Sequence, residues 1–392
     1  MRLLMLTQDF PPVTGGIQTY SYALAREFHR RCEAFAVIAP RHPGQAEVDD
    51  ACPYPVHRVP VSSDWMRVAS PPWLAAALVS GRYDAVFMAQ WYPAWAALLA
   101  RRLGLVKRVY AAAHGQELLW TPLPDTPLGD LYERHRASSM RGCDGMFPVS
   151  GFTGGVLREQ GVPPERIHVA TNGTYPERFR LDESLEELAA WRQGAGLGDG
   201  PLLVTVCRLV ERKGIDLVLR AMPEVLRAFP EARYAVVGGG PEREALEALA
   251  GELGVADRVV FMGRVSDRDL LRSLHAADLF VMPARVAERE MGPWIKGLSF
   301  EGFGLVFREA NACGTPAIGA RTGGVPDAIR DGVNGLLIDE DDLSGLEGAI
   351  LELLGDPARA KAMGEAGRRI VETEGTWAQV AESMLAVMER GL

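Results

Sequence analysis

The 392-residue chain is short of several things, and each shortage removes a class of protein. No apolar run approaches the ~18 residues needed to span a bilayer, so a helical membrane channel or carrier is excluded. Its five cysteines, Cys32, Cys52, Cys143, Cys207 and Cys313, are far apart and odd in number. Neither a disulfide framework nor a zinc site is read from them, and a reducing cytoplasm is the expected home. The opening MRLLMLT reads as a first strand and not as a signal peptide, because Asp9 and two prolines follow too soon. Lysine is scarce, with only Lys107, Lys213, Lys296 and Lys361 among 42 basic residues. Positive charge in excess is also missing. Residues 1–180 carry 19 Lys+Arg against 16 Asp+Glu, and residues 181–392 carry 23 against 35, for a net −9. Neither half is basic enough for nucleic acid to be the expected partner.

What is present is an ordinary globular composition, 47% hydrophobic, in a chain long enough for two or three domains. Short apolar runs alternate with amphipathic helical patterns, which predicts α/β domains with parallel sheets wrapped by helices. The strand candidates are 2–7, 34–39, 84–89, 108–113 and 145–150, then 202–207, 233–238, 258–263, 278–283, 316–320 and 334–339. Helices are expected at 17–31, 214–228, 241–253 and 343–354. Glycine clusters in GAGLGDGP (194–201), which marks the break. The expected organisation is a first Rossmann-like domain over 1–180 and a second over 195–375, facing each other across a cleft. The last helix, 376–392, has no strand partner of its own and is expected to cross back to the first domain.

Open parallel sheets bind ligands outside the carboxyl ends of their strands, so the informative residues are those just past each strand. CRLVERKG (207–214) follows one strand and sends out Arg208 and Lys213, a fork and a point charge suited to a diphosphate. A solvated basic loop is the plain alternative. GGGPERE (238–244) opens a helix after another strand, where glycines such as Gly239 let a ligand approach the backbone. PPVTGG (11–16) does the same in the first domain through Gly15 and Gly16, though a plain glycine turn reads equally well. HGQE (114–117) puts His114 at a strand end.

The most pointed stretch is SFEGFGLVFREANACGTP (299–316). Gly302 and Gly304 would each cost a helix about 1 kcal/mol, so the segment breaks into a loop and a helix starting near Leu305. The backbone N–H groups of that loop and helix start are offered to an anion. Glu301 lies on the outer side of such an anion and Glu309 on the inner side. Phosphates between them, with a sugar to one side and a ribose to the other, account for both carboxylates.

Together these residues resemble the retaining GT-B glycosyltransferases, specifically glycosyltransferase family 4, whose E-x7-E motif EGFGLVFRE (301–309) matches. RLVERKG (208–214), VVGGGPE (236–242), HGQE (114–117), CGTPAI (313–318), TGGVPDAI (322–329) and DGVNGLL (331–337) support it in order and spacing, across essentially the whole chain. The resemblance implies that Arg208 and Lys213 hold a donor diphosphate in place of a metal. It implies that Glu309 binds the ribose, and that Glu301 with Gly302, Phe303, Gly304 and Leu305 addresses the transferred sugar. Gly16 then lies near the phosphate and reacting carbon, His114 near the sugar on the acceptor side, and the backbone of Arg264 and Val265 near the base. The implied substrates are a nucleotide-sugar donor and a hydroxyl acceptor, with retention and without metal. The long segment 284–300 is similar to the branch that mannosylates phosphatidylinositol, which favours GDP-mannose over a UDP-sugar.

Three alternatives compete. A dinucleotide-dependent oxidoreductase needs G-x-G-x-x-G after a first strand, which QDFPPVTGGIQTY does not supply. A non-catalytic sugar-nucleotide-binding protein sits badly with the presence of Arg208, Lys213, Glu301 and Glu309 together. A GT-B epimerase leaves the ordered family 4 motifs unexplained. The triplet Asp267-Arg268-Asp269 resembles a metal-bridging D-x-D, but acids are favoured in a helix's first turn by the dipole alone. Finally, WYPAWAALLARRLGLVKR (91–108) reads either as a helix seated on an anionic membrane surface, near a lipid-linked acceptor, or as a core-packed helix with a solvated end.

Overall fold

A computed structural model describes residues 1–290 and 295–392. Contacts gather into two compact units. The first comprises Met1–Asn172, Glu288–Leu298 and Trp377–Leu392; the second comprises Gly173–Ala287 and Ser299–Thr376.

Seven strands lie in the first 172 residues: β1 Arg2–Leu6, β2 Ala34–Pro40, β3 Val56–Val59, β4 Ala85–Met88, β5 Arg108–Ala113, β6 Trp120–Pro122 and β7 Gly145–Pro148. Six of them form a parallel sheet in the order β3-β2-β1-β4-β5-β7. The central β1 is buried on both faces, with Leu3, Leu4 and Met5 fully covered, which is why it reads as an unbroken apolar run. Strand β3 escapes the sequence reading because it is a four-residue edge strand, VHRV, with two polar positions. Arg58 within it is buried and pairs with Asp49 at 2.7 Å. The helix Trp377–Arg390 packs against the helix Gly16–His29, with Trp377 edge-on to Tyr20 at 5.7 Å. Tyr110 donates from its hydroxyl to the carbonyl of Met388 at 3.0 Å.

Eight further strands follow: β8 Leu202–Val206, β9 Arg233–Val237, β10 Val259–Gly263, β11 Leu279–Met282, β12 Ala287–Glu290, β13 Ile295–Ser299, β14 Ala317–Ala320 and β15 Gly335–Ile338. The second unit's sheet has the order β10-β9-β8-β11-β14-β15, the same winding as the first. In one of its core clusters, Ile215, Val218, Leu219 and Met222 from the helix Ile215–Ala228 meet Leu203, Tyr234, Val236 and Val281. The helix Leu185–Gly194, which stands ahead of the break read at 194–201, belongs to this unit. Its Leu188 and Trp191 pack on Leu197, Leu202 and Val204, so the glycine cluster is a turn inside the unit.

Strands β12 and β13 form a small sheet with β6, in which β13 runs antiparallel to β6. They lie within the segment 284–300 that the sequence reading ties to GDP-mannose, and its residues 291–294 lie outside the described residues.

Candidate functional site

In the second unit, the carboxyl ends of four strands converge. Leaving β8, the chain runs through Arg208 to a short 3-10 turn, Glu211–Lys213. Gly214 then takes φ 68°, and a Cβ there would meet the Pro283 carbonyl oxygen at 2.1 Å, so this loop is closed tightly against the end of β11. Leu209 donates its N–H to the Gly239 carbonyl at 3.1 Å, and Gly238 donates to the Gly263 carbonyl at 2.8 Å. These bonds gather the loops of Arg208, Gly239 and Arg264 side by side. The Val265 side chain packs on the hydrophobic cluster of Leu197 and Leu202.

The carboxylate of Glu301 completes the arrangement. Its Oε2 accepts from Lys213 Nζ at 2.5 Å and from an Arg212 guanidinium nitrogen at 2.8 Å. Its own carbonyl accepts from Gly324 N–H at 2.8 Å, so both ends of the residue are fixed. Burial alone would raise the Glu301 pKa, but the charges of Lys213 and Arg212 and their hydrogen bonds overrule it, bringing it down to about 2. Glu301 is therefore ionised at any working pH and can only accept hydrogen bonds. Arg208 is exposed and makes no ion pair among the described residues, so its fork remains available.

Behind the loop, Gly304 takes φ 84° and the helix Leu305–Cys313 starts. A Cβ at Gly304 would strike the Phe307 ring at 2.5 Å, so both the backbone angle and the space require glycine. No side chain caps this helix. Its first turn therefore has no side-chain partner for its backbone N–H groups, and the Phe307 N–H donates to the Gly304 carbonyl at 3.0 Å. Phe303 is buried, with the Arg308 guanidinium 5.1 Å over its ring. Glu309 stands one turn into the helix, and among the described residues no group donates to it. Its pKa is pushed up to about 7 by burial, with the charge of Arg178 opposing. Two carboxylates on one motif thus have opposite protonation tendencies.

Sequence reasoning pairs Arg208 with Lys213 and overlooks Arg212. The structure assigns Arg212 and Lys213 to one carboxylate. The signal was the doubled cation in ERKG, but the partner lies 88 and 89 residues away, beyond any local pattern.

In the first unit, Gly15 and Gly16 stand exposed where the helix Gly16–His29 begins, after β1. His114 lies past the end of β5 and donates from Nε2 to the Ala89 carbonyl at 2.8 Å, which leaves Nδ1 for other partners. Its ring lies edge-on to Tyr20 of the same helix, 4.6 Å between centroids, so His114 and the glycine turn are neighbours. The sequence reading missed Asp9. Its carboxylate accepts from Gln18 Nε2 at 2.6 Å and from Gln90 Nε2. Burial raises its pKa, against the charge of His114 and the bond from Gln90.

The stretch 91–108 is largely core and paired. Trp91 is 1% exposed and donates from Nε1 to the Glu117 carbonyl. Arg101 and Arg108 pair with Asp144, and Lys107 pairs with Asp84. Trp95, Leu99 and Leu103 remain exposed. Among the described residues, no helix is long and apolar enough to cross a membrane. The D-x-D triplet has a structural use. Ser266 caps its helix by accepting from Asp269 N–H, and the Asp269 carboxylate accepts from Ser266, Trp191 and Arg272.

Two parallel sheets wound alike, with an uncapped helix, two glutamates and the unpaired Arg208 at the carboxyl edge of one, fit a nucleotide-sugar glycosyltransferase of the GT-B fold. The family model "Glycosyltransferase Family 4" matches residues 14–178, and "Glycosyl transferases group 1" matches residues 189–370. The chain belongs to glycosyltransferase family 4. It is 36% identical to a GDP-mannose-dependent alpha-(1-6)-phosphatidylinositol monomannoside mannosyltransferase of Mycolicibacterium smegmatis, over 93% of this chain and 92% of that one. A GDP-mannose-dependent monoacylated alpha-(1-6)-phosphatidylinositol monomannoside mannosyltransferase of Corynebacterium glutamicum is 32% identical, over 99% and 98%. Among solved structures, a glycosyltransferase from Rickettsia africae superposes with a TM-score of 0.81 at 16% identity, covering 100% of this chain and 98% of that one.

Proposed function

We propose that the enzyme transfers mannose from GDP-mannose to a hydroxyl of a phosphatidylinositol-type glycolipid, with retention and without a metal ion. The observation that carries the reading is the Glu301–Lys213–Arg212 cluster beside the uncapped helix Leu305–Cys313. It supplies a fixed hydrogen-bond acceptor for sugar hydroxyls next to positive charge for a diphosphate. The donor and acceptor follow from the near-full-length likeness to GDP-mannose-dependent enzymes.

In this reading the diphosphate is held by Arg208, Lys213 and the N–H groups of 302–305, with Gly239 alongside. Glu309 accepts from the ribose hydroxyls. The backbone at Arg264 and Val265 meets the base, and the acceptor binds the first unit near His114. The bond from the sugar's anomeric carbon to the phosphate oxygen breaks. The acceptor oxygen then bonds to that carbon on the same face, and its proton passes to the leaving diphosphate. Positive charge already fixed at the diphosphate stabilises the negative charge that develops there. Mg²⁺ would need carboxylates beside the phosphates, and Glu301 is occupied by two cations.

The test is turnover of GDP-mannose, UDP-glucose and ADP-glucose with a phosphatidylinositol monomannoside acceptor, followed by NMR of the product's anomeric proton. GDP-mannose turned over fastest, with an α-linked product, is expected. A β-product removes the retaining assignment, and preference for a UDP-sugar removes the donor assignment.

A further inference from the structure

The first unit holds a cavity of about 350 Å³ at the end of its sheet opposite the glycine turn and His114. It is lined by Arg108, Tyr110, Asp144, Arg166, His168 and Arg390. Arg108 begins β5 and Asp144 immediately precedes β7, so the cavity opens at the amino ends of these strands. His114 lies just past the other end of β5, about 20 Å away along a six-residue strand. The site is therefore separate from the carboxyl-edge residues of the same sheet.

Its charge is unbalanced. The one carboxylate, Asp144, is already taken by Arg101 and Arg108 and by the N–H of Val109. Among the described residues, Arg166 donates only to the carbonyls of Arg141 and Cys143, at 3.0 and 3.2 Å. Arg390, at the end of the last helix, is exposed and has no partner among the described residues. Arg166, Arg390 and the His168 imidazole thus surround a hollow with no anion assigned to them. Burial first, and then the charge of Arg390, lowers the His168 pKa.

We infer that this cavity binds a small phosphate monoester, held by Arg166, Arg390 and His168. Guanidinium groups fit phosphate oxygens through two parallel bonds, and the volume suits a phosphorylated polyol. A bound dianion balances the charge of the cavity where the end of the Trp377–Arg390 helix already meets β5, through the bonds from Tyr110 to the Met388 carbonyl and from Arg108 to the Gly391 carbonyl. The facing charged and titratable groups are Arg108, Tyr110 and Asp144 from the strand ends, Arg166 from the turn before His168, and Arg390 from the helix.

The experiment follows the His168 ring proton by NMR in the full chain, assigned by its disappearance in His168→Gln. The probes are inorganic phosphate, glycerol 3-phosphate, and vesicles containing phosphatidic acid. A saturable shift with an upward-moving His168 pKa is expected. Arg390→Ser, which alters an exposed side chain and leaves the fold intact, raises the half-saturating concentration about tenfold or more, the usual loss for a charge-assisted bond. Lys213→Ala leaves it unchanged, which separates this site from the diphosphate-binding residues. Saturation by glycerol 3-phosphate identifies a soluble ligand, and a shift confined to the vesicles identifies a lipid headgroup. No saturable shift with any of the three probes, or an equal one in Arg390→Ser, overturns the proposal.

Discussion

At the carboxyl edge of the first sheet, the Asp9 carboxylate is bonded by the amides of Gln18 and Gln90; at the matching edge of the second, Glu301 is bonded by Lys213 and Arg212. Both sheets have the same winding, and in both carboxylates burial pushes the pKa upward. The outcomes are opposite, because the charge of His114 and the bond from Gln90 do not offset the desolvation of Asp9, whereas two cations bonded directly to the carboxylate more than offset that of Glu301. Glu309 is the limiting case. With no donor of its own among the described residues, it rises to about 7. Partner charge, more than depth, decides what each carboxylate can do, and the repeated fold leaves that choice to the loops.

The largest expected effect tests the cationic edge. Lys213→Ala or Arg208→Ala should lower kcat about 10²–10³-fold, since each stabilises charge on the leaving diphosphate. Steady-state kinetics with GDP-mannose measure it, and a change in KM alone would mean that Lys213 serves only to hold Glu301.

Next comes the contrast between the two glutamates. Ribose hydroxyls donating to Glu309 favour its ionised form, so GDP binds better as pH rises through 7. Between pH 6 and 8 the affinity should increase about tenfold, by proton linkage from a pKa of about 7. Glu309→Gln should flatten that dependence. Calorimetric titrations showing the same slope in both proteins would remove Glu309 from the ribose. Glu301, ionised throughout this window, contributes no slope. Its pairing is lost only as pH falls towards 2, after the ordinary glutamate range has been passed.

A smaller effect is expected at the neutral edge. Asp9→Asn should raise the acceptor KM a few-fold, as loss of one hydrogen bond does, and leave GDP affinity unchanged. A change in GDP affinity would place Asp9 with the donor. No effect at all is expected from excess EDTA. Activity abolished by EDTA and restored by Mg²⁺ or Mn²⁺ would sink the metal-free reading and the roles given to Arg208 and Lys213.

Both sheets were legible because parallel strands covered on both faces write themselves as apolar runs, and all eleven expected runs are strands. The glycine loop and helix at 302–305 were legible because Gly304 has no substitute there. What stayed hidden depended on distance along the chain or on position at an edge. Arg212 gains its meaning from Glu301, Asp9 from Gln90, and β3 and β6 from neighbours that compensate for polar or very short segments. Trp91 looked like a surface anchor because its burial is decided by the packing of the first unit's core, which a helical pattern does not reveal.

The helix Trp377–Arg390 packs against Gly16–His29, so the first unit is closed by residues synthesised after the whole of the second. The second unit, contained within residues 173–376, can complete its core while the first still exposes Tyr20 and the face that Trp377, Met384 and Met388 will cover. The order of synthesis and the order of completion are therefore reversed, and a chain released before residue 377 should carry a finished second unit beside an uncapped first one.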